Sequence, residues 1–210
     1  MAKTRVGDIE TFDAFTNWTN YVGGGFSAAG GVAVPGTDGV DNGARITSAT
    51  GWTQDVYAQA TISTAPSGGD EIGVTVRDDG WNATQHGYIA TTDCASYHAI
   101  IRYTAGVYAE IHTDTTSGLF QAGDIIEIQA IGVNPTVLTV YRTRSTVRTT
   151  AMTHTDPTET DLPGNATDSA GIHSWGNSGR LDDWEGGVVT ADAGTVIPVF
   201  MYHYKQQRKR

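Results

Sequence analysis

From Asp55 to Thr64 the sequence DVYAQATIST alternates, placing Val56, Ala58, Ala60 and Ile62 on one face of an extended segment. A period of two marks a strand with one buried face. Glu71–Arg77 repeats the pattern with Ile72, Val74 and Val76. Gly87–Thr92, Ser96–Tyr103 and Val107–His112 are three further predicted strands, with Thr104-Ala105-Gly106 as the turn between the last two. Asp124–Ile131 and Thr136–Arg142 predict a hairpin across Gly132–Pro135. Arg144–Thr153 and Ala170–Trp175 continue the series, and Leu181–Val189 closes it. About a dozen short strands parted by Gly, Asn and Asp clusters is the pattern of an all-β sandwich or barrel. A convincing helical period is absent, and only Thr115–Gln121 has room for one helical turn.

Composition supports the same class. The 210 residues include 31 threonines, 31 valines plus isoleucines and 26 glycines, but only four leucines. β-Branched residues favour strands and a mainly helical protein is excluded. The polar, proline-bearing segment Thr155–Ser169 reads as a surface loop between two strands rather than a domain boundary. Residues 1–190 are therefore expected to form one domain. Ala191–Thr195 is a short connector, and 196–210 an appended arm.

Charge divides along the same line. The chain has a net charge of −10. Nine of the 13 basic residues and all 23 acidic ones lie in residues 1–204, a net of −14, and the other four cations are among the last six residues. An acidic body repels nucleic acid and anionic membrane, and four terminal cations alone do not reverse that. The single Cys94 allows neither an internal disulfide nor a cysteine metal cage. With no signal-like or membrane-spanning segment in the sequence, synthesis and folding in a reducing compartment are expected.

Several short motifs, in order, resemble the concanavalin A-like lectin/glucanase (laminin-G-like) family. Thr11-Phe12-Asp13 with Asn17-Trp18-Thr19 is similar to its opening strand, and Asn42–Arg45 supplies a small Asn-Gly-Ala-Arg element. Ile72–Arg77 with Gly87-Tyr88-Ile89-Ala90 is similar to its core hairpin, and Ala122-Gly123-Asp124 to the lead into a central strand. Leu181–Glu185 resembles its closing strand, which in that fold pairs with the opening one. The sequence departs from the family at Tyr141-Arg142-Thr143-Arg144, where Asn-Gly is common. The resemblance, spanning about residues 8–190, implies a jelly-roll β-sandwich of two antiparallel sheets. It also implies a setting among bacteriophage virion proteins, where such domains recur.

Catalysis finds little support. Glycanases of the family carry Glu-x-Asp-x-x-Glu on one strand, which this chain lacks. The acidic pairs Asp8/Glu10, Glu159/Asp161 and Asp183/Glu185 read as solvated surface. Its six histidines show no zinc spacing, no serine sits in Gly-x-Ser-x-Gly, and Cys94 reads as a half-buried spectator. Asp38, Asp41 and Asn42, or Asp78 and Asp79 with Asn82, have oxygens for calcium, but glycine-rich turns require such residues anyway. No cofactor or metal is expected.

Binding is better supported. Sugars stack on exposed aromatic faces and hydrogen-bond at their edges. Trp81 in a loop, His86 and Tyr88 nearby, and Trp175 at a strand end are the expected glycan groove. In the arm, Val196, Val199, Phe200, Met201, Tyr202 and Tyr204 form an apolar face, and Lys205 and Arg208 add charge. Such a segment suits docking onto another chain. The expected function is a non-enzymatic phage virion protein, a capsid decoration (cement or head-spike) protein touching glycans. It would form a homo-oligomer and contact the major capsid or another virion protein. A tail or baseplate receptor-binding protein, or a carbohydrate-binding module related to glycanases, is the alternative.

Overall fold

A computed structural model describes residues 1–6, 9–47, 51–79, 86–105, 107–157 and 169–190. Among these, fifteen strands form two antiparallel sheets, and there is no helix. One sheet has the order β13 (Val147–Asp156), β12 (Thr136–Arg144), β11 (Ile125–Ile131), β6 (Val56–Thr64), β15 (Arg180–Thr190), β4 (Val32–Pro35), β3 (Phe26–Ala29). β1 (Ala2–Arg5) pairs with the far end of β15. The other runs β10 (Val107–Asp114), β9 (His98–Thr104), β8 (His86–Thr92), β7 (Glu71–Asp78), β14 (Ser169–Trp175), β5 (Asp41–Ile46), β2 (Trp18–Val22). The architecture is a jelly-roll β-sandwich, as expected.

Alternation decides what lies between the sheets. Val56, Ala58, Ala60 and Ile62 of β6, with Ile126, Ile128 and Ala130 of β11, meet Ile72, Val74 and Val76 of β7 in one buried cluster. Phe12, Phe15, Trp18 and Trp184 extend that cluster, with ring centroids 4.9–5.6 Å apart. Trp184 donates its indole N–H to the Gly171 carbonyl at 3.1 Å, so this ring satisfies its polar atom inside the core. The opening segment meets the closing strand through the Glu10–Trp184 bridge. Glu10 accepts from the Phe12 amide and the Trp18 indole, and Glu185 from the Tyr57 hydroxyl. Both carboxylates are thus structural rather than simply solvated.

Two local expectations change. Thr115–Gln121 forms a turn, closed by the Leu119 amide on the Thr116 carbonyl at 3.3 Å, and no helix. The departure at Tyr141–Arg144 continues β12 into a hairpin whose turn residues Ser145 and Thr146 have φ of +48° and +72°. Positive φ at both central positions is the requirement that Asn-Gly normally meets. The arginines there are engaged: Arg144 holds Asp124 at 2.6 and 2.8 Å. Finally, the Thr155–Ser169 loop lies largely outside the described residues, as does the whole 191–210 arm.

The second sheet curls strongly. Tyr108 on its edge strand β10 hydrogen-bonds Asp41 on β5 at 3.0 Å, although four strands lie between them. In a flat sheet those strands would stand about 24 Å apart. Glycines permit the curl: a Cβ on Gly73 would lie 2.0 Å from the Ala90 carbonyl oxygen, and one on Gly171 2.2 Å from that of Ala44. Glycine inside a strand commonly marks such close backbone approach. Within the curl Ile89, Ala99, Ile101 and Tyr103 form a second small apolar cluster, with Tyr97 and Tyr108 against it.

Replacing Gly171 by alanine forces the two backbones apart. Equilibrium urea unfolding of Gly171→Ala should show a loss of about 1–3 kcal/mol, the usual cost of overpacking. An unchanged midpoint would mean that the curl does not depend on this contact.

Candidate functional site

The outer face of the curled sheet holds the site. Trp175 at the end of β14 stands opposite Asp41 of β5 on one side and Glu71 of β7 on the other. One step inward, His173 is flanked by Gly43 and Gly73, where the Tyr21 ring and the Ala90 carbonyl come too close for a side chain. From the other side of the curl come Tyr97, Ile101, Tyr108 and Glu110. Together these residues line an open pocket of about 180 Å³. Trp175 is 42% exposed, an unusual state for so large an apolar ring.

A compact hydrogen-bond triangle forms the floor. The Tyr108 hydroxyl lies 2.7 Å from His173 Nε2 and 3.0 Å from Asp41 Oδ1, and Nε2 is 3.0 Å from the same carboxylate oxygen. His173 is buried, and its Nδ1 has no partner among the described residues. A proton on Nε2 therefore meets acceptors, whereas one on Nδ1 would meet none. Burial raises the Asp41 carboxyl, but the hydrogen bond and charge of His173 and the bond from Tyr108 outweigh it. Asp41 is held below the ordinary carboxylate range. Burial pushes the Tyr108 hydroxyl up, reinforced by Asp41.

Glu71 is tuned the other way. Burial raises its carboxyl above the ordinary value, and the negative Glu110 and Asp93 add to that, against a hydrogen bond from Thr91 and the charge of His173. Tyr97 is raised by burial and by its hydrogen bond to Glu110. Deeper in the curl Asp78, fully buried, accepts from Tyr21 at 2.7 Å and Thr75 at 2.6 Å. This network ties β2 to β7 and lies outside the pocket lining.

The expected groove of Trp81, His86, Tyr88 and Trp175 is not assembled as such. Tyr88 pairs with Val76 on the inner face of the sheet, is fully buried, and donates to Asp156 at 3.1 Å. It cannot line an outer groove, and that expectation is corrected. His86 begins β8 at the opposite end of the sheet from Trp175, a separation of about 20 Å along the strands. Its amide binds Asp79 at 2.6 Å. Trp81 lies outside the described residues, as do the arm residues from Val196 to Arg208. Trp175 is placed at the pocket, beside Asp41, which the sequence offered only for calcium, and among other residues that sequence reasoning passed over. The available signal was the glycines at outward strand positions, Gly43, Gly73 and Gly171, which mark where neighbouring groups come close as the sheet bends.

Other candidates are accounted for. Asn42 is fully buried and clamps a turn, accepting from the amides of Gly24 and Thr37 and donating to the carbonyls of Thr37, Val40 and Gly176. Among the described residues no three His, Cys, Asp or Glu side chains group as a metal site would require. Cys94 is half-buried, and burial pushes its thiol up to about 11, which makes it a poor nucleophile.

No family model matches the chain, and no curated protein matches it in sequence. Solved structures do match in shape. The exoplasmic/lumenal domain of VIP36, in its Ca2+/Man3GlcNAc-bound form, superposes with a TM-score of 0.61 at 11% identity over 94% of each chain. Carbohydrate-binding module CBM66 from Bacillus subtilis gives 0.57 at 16% identity, over 82% of this chain and 96% of that one. The fold is that of lectins and carbohydrate-binding modules. A phage protein shares the lectin-like sandwich as well. The CBM2 module of the evolved Dit of Lactobacillus casei BL23 phage J-1 gives 0.53 at 13% identity, over 91% of this chain and 99% of that one.

The Asp41 triangle has a pH signature. Its folded-state carboxyl is lower than the unfolded value of about 3.9, so its stabilisation is fully present above that value. It is lost as pH falls through the folded value. In urea unfolding across pH 2–7, Asp41→Asn should therefore be less stable than the parent at neutral pH, with the gap closing in acid. A gap that widens in acid would reverse the assignment.

Proposed function

We propose that the pocket binds carbohydrate and that the protein acts by binding rather than by catalysis. The observation that carries this is Trp175, an exposed indole beside Asp41 and Glu71 at the rim of a small pocket. An aromatic face offers a platform for the C–H face of a sugar ring, and carboxylates accept from its hydroxyls. The pocket volume is on the scale of a single sugar ring. The lectin-like fold and its carbohydrate-binding neighbours support the reading.

Truncating the ring tests it. On a glycan array, Trp175→Ala should lose about tenfold or more of the parent's binding to whichever glycan the parent retains. Since more than half of the ring is packed, with 42% exposed, truncation also removes buried area. The melting temperature should fall by about 2–4 °C for each kcal/mol lost, with unfolding still cooperative. Equal array signals for parent and variant would remove the pocket from the binding reaction.

A finer reading places this binding on a phage particle, with the protein as a capsid decoration protein forming homo-oligomers. The likeness to the phage J-1 Dit module supports a phage setting. The sequence of residues 191–210, apolar–aromatic and then basic, supports an attachment role for that arm. Deleting 191–210 should abolish incorporation into virions or change the oligomeric state in light scattering, with the sandwich still folded. Undiminished assembly would refute the docking role.

A further inference from the structure

Resting on the carbohydrate reading, we propose that the pocket selects saccharides bearing a protonated amine, such as de-N-acetylated amino sugars, over neutral or anionic ones. The lining gives the reason. Of its eight residues three are carboxylates, Asp41, Glu71 and Glu110, and none is lysine or arginine. Three more, Tyr97, Tyr108 and Trp175, are aromatic rings. Aromatic rings beside carboxylates form an environment for a cation, which is drawn both to the ring faces and to the charges.

Hydrogen-bonding capacity points the same way. The carboxylates are acceptors only, and His173 Nε2 is already used on Asp41 and Tyr108. The Tyr108 hydroxyl is turned to the triangle and the Tyr97 hydroxyl to Glu110. A ligand entering this space thus meets many acceptors and few free donors. An ammonium supplies three N–H donors, whereas an acetamido carbonyl or a uronate would bring further acceptors. Charge adds to this. Glu71, whose carboxyl is raised chiefly by burial, also feels the repulsion of Glu110 and Asp93. An incoming cation relieves that repulsion, and an incoming anion compounds it.

Fragments of equal length separate selectivity from binding itself. Calorimetric titration would compare a glucosamine tetramer, its fully N-acetylated counterpart and a glucose tetramer, below the amine pKa, with the parent, Glu71→Gln and Trp175→Ala. The expected result is at least tenfold tighter binding of the glucosamine tetramer by the parent. That preference should shrink by about tenfold in Glu71→Gln and fall with added salt, while Trp175→Ala weakens all binding. Equal or tighter binding of the acetylated or neutral tetramer, lost in Trp175→Ala, would overturn the amine preference and leave the carbohydrate reading standing. Binding of the glucosamine tetramer that is undiminished in both variants would overturn the proposal, since the amine would then be held elsewhere. No binding of any tetramer, together with an empty glycan array, would overturn both readings.

Discussion

The curl of the second sheet is the constraint on which the rest depends. A flat sheet of this width would leave Tyr108 and Asp41 far apart, and neither the floor of the pocket nor the inner apolar cluster would exist. Two terms oppose each other in it. Right-handed twist and the apolar cluster of Ile89, Ile101 and Tyr103 favour rolling. Side chains on the concave face oppose it, since each Cβ there needs volume that curvature removes. Glycine at 73 and 171 resolves the conflict where the backbones come closest. The hydroxyl of Tyr108 then fixes the rolled state through two short contacts, a directional lock added to a non-directional force.

The two sheets treat their outer faces differently. On the first, Glu127 is buried beneath cations: Arg148 grips it through two hydrogen bonds of 2.9 and 3.0 Å and stacks on Tyr141, while Lys3 approaches it at 3.4 Å. Charge there is neutralised within the chain. On the curled sheet the pocket carboxylates receive hydrogen bonds but no lysine or arginine among the lining residues. One surface thus pairs its buried carboxylate with cations of the same chain. On the other, His173 is bonded to Asp41, and the lining offers Glu71 and Glu110 no lysine or arginine, at the place where an indole is exposed.

Much of the fold was legible in the sequence because period-two alternation is a local signal. The faces of β6 and β7 and the β11–β12 hairpin follow from residues within a few positions of one another, whereas the closing role of Leu181–Glu185 came from the family resemblance. The site was less legible because it is written in register. Asp41, Glu71 and Trp175 are neighbours only because β5, β7 and β14 align as they do, and Tyr108 joins them only through curvature. Tyr88 shows the failure plainly. An aromatic residue near a loop suggests a sugar platform, but its parity with the apolar Val76 across the ladder assigns it to the interior. Hairpin chemistry was legible only by rule, and Ser145 and Thr146 occupy conformations that the rule reserves for Asn and Gly.

The pocket draws its lining from β5, β7, β9, β10 and β14 and from Tyr97 just before β9, in most cases from residues at or near strand ends and facing away from the main core. Each lining side chain can therefore be exchanged without disturbing the alternation that folds its strand. The glycines, Ile101 of the inner apolar cluster and the triangle of Asp41, His173 and Tyr108 tie the scaffold to the site. Such an arrangement lets recognition drift quickly while architecture stands still.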